Sequence, residues 1–357
     1  MLLGLDSVVL IAIAVAFAWS MGAHYTGATM GMSYASHSIR AWPALGLMAI
    51  LALLGATFAS HSVELNLGKG VVTASSATVT FAIIIVASGF LLTTVLTYVK
   101  VPSSTIQILV FAVVGTALAA GLGVNWGLIG SFVVVWALAP VVACGLGFVL
   151  TKLMDLFLPG GKARRDEMGN MQPPAIQQKD QHDKRLSNVM NTSAFVVGTQ
   201  LVSGILVLFG AAASFTMGAN DVSNASGVFL MTNTFGVLEA GFIGGIGLAI
   251  GALTWGRPLL NRVAFDIVKL DLNMASAAQF AQALVVFVPV VAFGYFTSMN
   301  QALVGAMAGA GFARGRQTVQ RDTVIGIIKG WAIGPVSSLA FAFLVAKFVE
   351  AAAPALL

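Results

Sequence analysis

Charged side chains are scarce in this sequence. Asp, Glu, Lys and Arg make up 9% of 357 residues, against about 25% in an ordinary soluble domain. So few charges cannot dress the surface of a water-soluble fold of this length, and 58% of the residues are hydrophobic. Cysteine is nearly absent: Cys144 stands alone in an apolar run, which excludes an intrachain disulfide framework and a cysteine metal cluster. The four histidines, His24, His37, His61 and His182, show no metal-ligand spacing. A Gly-rich phosphate loop of the Walker type is missing, so no ATPase is expected. Neither a nucleophile with its base nor a metal cluster is recognisable, so the chain is not expected to be an enzyme and no cofactor is expected. No nucleic-acid partner is expected either.

What is present is a succession of stretches long enough for a membrane span, which takes about 20 mostly apolar residues. Ten apolar elements can be marked at about 5–36, 42–60, 71–98, 103–121, 126–151, 192–232, 235–256, 272–296, 299–313 and 323–351. The fold class expected is therefore an all-α integral membrane protein. The N-terminus lacks the positive flank of a cleavable signal and reads as a retained first helix. Between the halves, Lys152 to Asn191 is polar, with Gly-Gly, Pro-Pro and mixed charge, and reads as a loop. With the N-terminus outside and one crossing per element, sixteen of the eighteen Lys and Arg residues fall on the inner side, and only Lys69 and Lys347 fall outside. The positive-inside rule then makes the central loop cytoplasmic, with both termini outside.

The two halves repeat each other. Trp136-Ala-Leu-Ala-Pro140 matches Trp331-Ala-Ile-Gly-Pro335, an offset of 195 residues. Ser104, Gln107, Leu109, Val110, Ala112 and Gly115 match Ser298, Gln301, Leu303, Val304, Ala306 and Gly309 at an offset of 194, and Met21-Gly-Ala matches Met217-Gly-Ala at 196. Five elements per copy is an odd number, so the second copy enters from the opposite side. The expectation is an inverted repeat, the plan common among secondary transporters: residues 1–151 the first transmembrane repeat, 152–191 the cytoplasmic linker, 192–357 the second repeat.

Polar residues interrupt the apolar pattern at matching places. Gly22–Gly31 (GAHYTGATMG) and Gly218–Gly227 (GANDVSNASG) lie deep within elements longer than one crossing, where Gly and Asn offer a break. A break is tolerated in a membrane only where the released backbone groups line a cavity or bind something. Asn220, Asp221 and Asn224 supply oxygens suited to a hard cation, and Asp221 has no Lys or Arg near it in sequence. An intramembrane acid is a functional candidate. The second pair, Pro102–Gln107 and Phe296–Gln301, puts hydroxyls and amides where apolar helices begin. Taken singly, such residues are ordinary N-caps. Found in both halves, they suggest an anion site made of neutral donors and helix-start N–H groups. The Gly247-x-x-x-Gly251 and Gly305-x-x-x-Gly309 spacings read as close helix packing.

These segments carry a family resemblance. GANDVSNASG at Gly218 is similar to the duplicated G-x-N-D-x-x-N signature of the inorganic phosphate transporter (PiT) family. The segment Ser298–Gly315, the related segment Pro102–Gly115, the two Trp-x-x-x-Pro blocks and Gly251–Gly256 resemble it too. The resemblance implies cation-driven uptake of phosphate or, in a bacterial branch, sulfate, by inverted repeats with broken or re-entrant helices, often as a homodimer. It implies that Ser103, Ser104, Thr105, Gln107, Thr297, Ser298, Asn300 and Gln301 face the anion. It also implies that Asn220, Asp221 and Asn224 belong to the cation and anion sites, the three being sodium ligands if sodium is used; His24, a polar residue in the first interruption, is added to them as a candidate carrier of the coupling cation, H+ or Na+. The first half departs from the pattern: His24, Tyr25 and Ala28 stand where the family has Asn, Asp and Asn. In the second half Phe296, Met299 and Asn300 replace Pro and two Thr. The degenerate first motif resembles the sulfate permease branch, so the expected activity is secondary transport of a tetrahedral oxyanion, sulfate ahead of phosphate, in the cell membrane. A cation-coupled phosphate transporter and an anion channel are the alternatives.

Overall fold

The computed structural model describes residues 4–73, 77–98, 103–158, 164–165, 171–172, 193–263, 270–315 and 321–354. Most of the expected central loop, Pro102, and Lys100, Lys162, Lys179, Lys184, Arg185, Lys269 and Arg316 lie outside the described residues.

The first half comprises α1 (Leu5–His24), α2 (Thr26–Ala35), α3 (Ala41–Phe58), the short α4 (His61–Leu65) running into a π-helical turn at Asn66–Gly70, α5 (Val79–Tyr98), α6 (Thr105–Ala119) and α7 (Trp126–Phe157). The second comprises α8 (Ser193–Asp221), α9 (Ser223–Met231), α10 (Val237–Val263), α11 (Leu272–Phe293), α12 (Met299–Arg314) and α13 (Arg321–Ala352). Between them residues Arg164–Arg165 and Met171–Gln172 form a minimal antiparallel pair. Among the described residues eight helical spans are long and apolar enough to cross a membrane, α1–α2 and α8–α9 each counting as one. At about 1.5 Å per residue, the 15 residues of α6 and 16 of α12 reach about 22–24 Å, short of the roughly 30 Å of hydrocarbon. The protein is thus a multi-pass all-α membrane protein. Leu138, Val141, Val149, Val336, Leu344 and Phe348 are exposed along α7 and α13, an apolar outer face suited to lipid.

Some boundaries differ from the sequence reading. The stretch beginning at 71 is preceded by α4 and its π turn, and the long helix starts only at Val79. The helix α7 runs to Phe157, beyond the loop boundary placed at Lys152, because Leu153, Met154, Leu156 and Phe157 continue its apolar pattern. The interruptions at 22–31 and 218–227 are each one residue wide, at Tyr25 and Val222, both with right-handed helical backbone. They release fewer carbonyls than a full break would. The Thr26 hydroxyl takes the Ala23 carbonyl at 2.9 Å, and the Ser223 hydroxyl takes that of Asn220 at 3.1 Å.

Contacts between the halves come in reciprocal pairs. A Cβ on Gly22 would lie 2.0 Å from the carbonyl oxygen of Leu248, and one on Gly218 would lie 2.0 Å from that of Ala52. The two contacts exchange equivalent positions 196 residues apart, Gly22 corresponding to Gly218 and Ala52 to Leu248. Likewise Gly115 abuts the Leu339 carbonyl and Gly309 the Cys144 carbonyl, at 2.4 and 1.9 Å from a would-be Cβ. Glycine is required at these crossings because a methyl would strike backbone, the small-residue packing familiar between membrane helices. Gly251 and Gly305, against Trp19 and Pro140, behave the same way.

Helix directions follow from the contacts of α7. Gly305 faces Pro140, Gly309 faces Cys144, and Arg314 reaches Asp155, so α12 runs alongside α7 in the same direction. Helix α6 instead ends where α7 begins, joined by residues 120–125, with Val124 bridged to Val72. The starts of α6 and α12 meet: Gln107 and Gln301 exchange side-chain amide hydrogen bonds at 3.4 and 3.3 Å. From that meeting point the two short helices run toward opposite ends of α7.

Candidate functional site

Both helix starts are built alike. The Ser104 hydroxyl oxygen accepts the Gln107 N–H at 3.4 Å, and the Ser298 hydroxyl oxygen accepts the Gln301 N–H at 3.3 Å. Each serine is therefore an N-cap, as the plain reading held. A capping hydroxyl uses an oxygen lone pair, so its own proton stays available to an acceptor such as an oxyanion. Ser103, Ser104, Thr105, Gln107, Thr297, Ser298 and Gln301 are all buried. The hydroxyls of Ser103 and Thr297 have no hydrogen-bond partner among the described residues. Two N-capped helix starts, with their unpaired N–H groups and partial positive ends, converge within one buried volume.

The cation candidates close the same volume. Asn220 clips the second helix start by its backbone, accepting the Thr297 N–H at 2.8 Å and donating to the Thr297 carbonyl at 2.7 Å. It also donates to Asp221 at 3.0 Å. Asn224 donates to the Thr105 hydroxyl at 3.1 Å, and the Tyr25 hydroxyl meets the same oxygen at 2.7 Å. Thr105, placed with the anion by sequence, thus stands among Tyr25, Asn224 and Asp221. Asp221 is fully buried and its Oδ1 has no hydrogen-bond partner among the described residues, and nor has the Oδ1 of Asn224. Two residues three positions apart thus keep side-chain oxygens available to a small cation, and a carboxylate in such surroundings calls for one or for a proton. His24 and Asn300 are the partly exposed members of the cluster. They meet at 3.1 Å, and Asn300 also donates to the Ser103 carbonyl at 2.9 Å.

Residues overlooked in the sequence complete the arrangement. On α11 the Gln279 amide donates to the Ala28 carbonyl at 3.2 Å and to Gln282 at 2.6 Å, and Gln282 donates to the Met299 carbonyl at 3.2 Å. These two glutamines tie the first interruption to the start of α12. With Asn273 and Ser276 they form a fully buried stripe three residues apart, a helical spacing visible in the sequence. The stripe ends at an ion-pair cluster. Asn273 donates to Asp155 at 3.0 Å, and Arg314 pairs with both Asp155 and, at 2.7 Å, Asp271. Burial raises the Asp271 carboxyl above its ordinary range, and the neighbouring Arg314 opposes that rise.

Taken together, two capped helix starts that meet inside a multi-pass membrane protein, beside a buried carboxylate with one oxygen unpartnered among the described residues, are an arrangement able to handle ions. The sequence pattern of the phosphate transporter family matches residues 21–346, and the chain belongs to that family. It is 26% identical to the sulfate permease CysP of Bacillus subtilis over 94% of this chain and 86% of that protein. It is 24% identical to a Methanocaldococcus jannaschii protein bearing a provisional phosphate-permease name, over 92% and 93% of the two chains. A solved structure titled as the sodium-dependent phosphate transporter superposes with a TM-score of 0.79 at 21% identity, covering 97% of this chain and 99% of that one, and so shares its fold.

Proposed function

We propose that this protein is a secondary active transporter that carries a tetrahedral inorganic oxyanion, sulfate ahead of phosphate, together with a proton or sodium ion. The observation that carries this reading is the joining of two N-capped helix starts, through Gln107 and Gln301, next to the unpartnered carboxylate oxygen of Asp221. Ser103, Ser104, Thr105, Gln107, Thr297, Ser298, Asn300 and Gln301 bind the anion. Asp221, Asn224 and His24 serve the cation, and Asn220 holds Asp221 against the anion side. A bare carboxylate beside an anion pocket repels the anion until a cation or proton joins it, which links the two bindings and argues against a channel.

Sulfate is favoured by the donor set. At neutral pH its oxygens only accept hydrogen bonds, whereas phosphate also donates through its remaining proton. Tyr25 replaces the acid that the family pattern puts in the first half, and a tyrosine hydroxyl can donate where a carboxylate only accepts. Asp221 on the anion rather than the cation would favour phosphate, the second reading.

The halves act as an inverted repeat, 1–151 and 192–357, about the central linker. This is supported by the reciprocal glycine contacts and by α6 and α12 running toward opposite ends of α7. Charge bias supports a cytoplasmic linker with both termini outside. In a Cys144→Ala background, single cysteines in the linker should resist an impermeant thiol reagent in intact cells; ready labelling would contradict the orientation.

The decisive assay for transport is uptake of labelled sulfate and phosphate into proteoliposomes under imposed pH or sodium gradients. Accumulation above equilibrium that collapses with the gradient is expected. Passive flux that never exceeds equilibrium would make the protein a channel.

A further inference from the structure

A second buried acid lies outside the site just described. Glu64, on the short α4, is completely buried, and its Oε2 has no hydrogen-bond partner among the described residues. Its Oε1 contacts the hydroxyl of Ser226 on α9. That hydroxyl donates to Glu64 and also lies within reach of the Val222 carbonyl at 2.9 Å, so its one proton is shared between two acceptors. Ser60, the other nearby hydroxyl, points in the same way at the Ala56 carbonyl. Both hydroxyls are thus shared with helix carbonyls, and the second carboxyl oxygen of Glu64 stays without any donor among the described residues.

No counter-charge among the described residues compensates an ionised Glu64. The titratable groups on α4 and its π turn are His61 and Lys69, both exposed. Among the described side chains of the elements packed against α4 they are Asp221 at the end of α8 and the exposed Glu239 and Arg257 of α10, with none on α9 or α11. None of these forms an ion pair with Glu64 among the described residues. An ionised carboxylate so enclosed is far costlier than a neutral acid. The position is also unmatched in the repeat, for the residue 196 further on is Leu260, so nothing in the two-fold architecture calls for an acid here. Ser226 lies five residues beyond Asp221 on the short arm that begins at the second interruption, roughly 7–8 Å along the helix.

We infer that Glu64 is a second proton-binding site, at the contact of α4 with α9, and that its proton crosses the membrane with each anion. This rests on the transport reading given above. The proton enters from the medium on the uptake side, sits between Glu64 and Ser226 while α9 is packed on α4, and leaves to the other side when that contact opens. One cation at Asp221 and one proton at Glu64 together balance a dianion such as sulfate.

The test uses full-length protein in lipid, compared with Glu64→Gln, which mimics the protonated acid permanently. Infrared difference spectra across pH should show a carboxylic-acid C=O band that Glu64→Gln removes and Asp221→Asn leaves in place. Ser226→Ala, which keeps the acid but deletes its partner, should shift that band. In proteoliposomes, Glu64→Gln should still exchange labelled sulfate for internal sulfate. The accumulation supported by a one-unit pH gradient should fall about tenfold, the loss of one coupled proton. Spectra of Glu64→Gln identical to those of the parent would overturn the proposal, as would undiminished gradient-driven accumulation in that variant. If the parent protein moves neither sulfate nor phosphate, the transport reading falls by itself, and the band still decides whether Glu64 holds a proton.

Discussion

The two interruptions occupy equivalent places in the two halves and do different chemistry. In the second, Asn220 clips the backbone of Thr297, and Asp221 and Asn224 present oxygens to the interior. In the first, the equivalent positions hold His24, Tyr25 and Ala28. The clip that would reach Ser103 comes instead from Asn300, which lies across the interface and also holds His24. Tyr25 turns its hydroxyl to Thr105, the residue that Asn224 grips from the other half. A duplicated scaffold has kept its shape through glycine crossings and capped helix starts, while the charged chemistry has gathered on one side. If the transport reading holds, coupling and anion choice should be separable by mutation.

Asp221→Asn tests that separation with the largest expected effect. Concentrative uptake should vanish while anion exchange survives, as read by labelled-sulfate accumulation and counterflow. Unchanged accumulation would place coupling elsewhere.

A second asymmetry lies at one end of the molecule. Arg314 ties Asp155 to Asp271 there, whereas the equivalent positions in the other half hold Ala120, Glu350 and Ala77. Glu350 pairs locally with Lys347, three residues away, and both are well exposed. Removing Arg314 strands two partly buried carboxylates. Arg314→Met should lower stability by about 1–3 kcal/mol and raise the reactivity of a cysteine placed at Asn273, measured by thermal unfolding in detergent and by thiol labelling.

The matched serines should give matched, smaller effects. Ser104→Ala and Ser298→Ala each remove a cap and a donor, about 1 kcal/mol apiece, and should raise the KM for sulfate roughly fivefold without abolishing accumulation. Unequal losses would show that the anion leans on one helix start. Lys347→Ala, at the exposed pair, should change stability by under about 0.5 kcal/mol in the same unfolding assay.

Much of this was legible in sequence because membrane burial leaves so few polar residues to interpret. The matched glutamines Gln107 and Gln301 meet, and the small-residue spacings lie at close helix crossings. What escaped reading depended on partners distant in the chain. Nothing local shows that Asn220 seizes the Thr297 backbone, 77 residues away, or that Arg314 finds Asp155, 159 residues away. The stripe of Asn273, Ser276, Gln279 and Gln282 was visible as a spacing of three. Its neutral amides looked like ordinary helix residues until Gln279 and Gln282 were seen joined to Ala28 and Met299. Glu64 went unremarked because α4 is too short to register as an element, and only packing against α9 reveals its burial.

The contrast between Tyr25 and Asp221 is the centre of the account, and competition uptake tests it most directly. In proteoliposomes, unlabelled sulfate should displace labelled sulfate better than phosphate does. Tyr25→Asp, which gives the first interruption the acid it lacks, should move that preference toward phosphate by about tenfold, since one buried carboxylate that accepts phosphate's proton and repels sulfate is worth about 1–3 kcal/mol. A parent protein that prefers phosphate, or a Tyr25→Asp variant with unmoved preference, would contradict it.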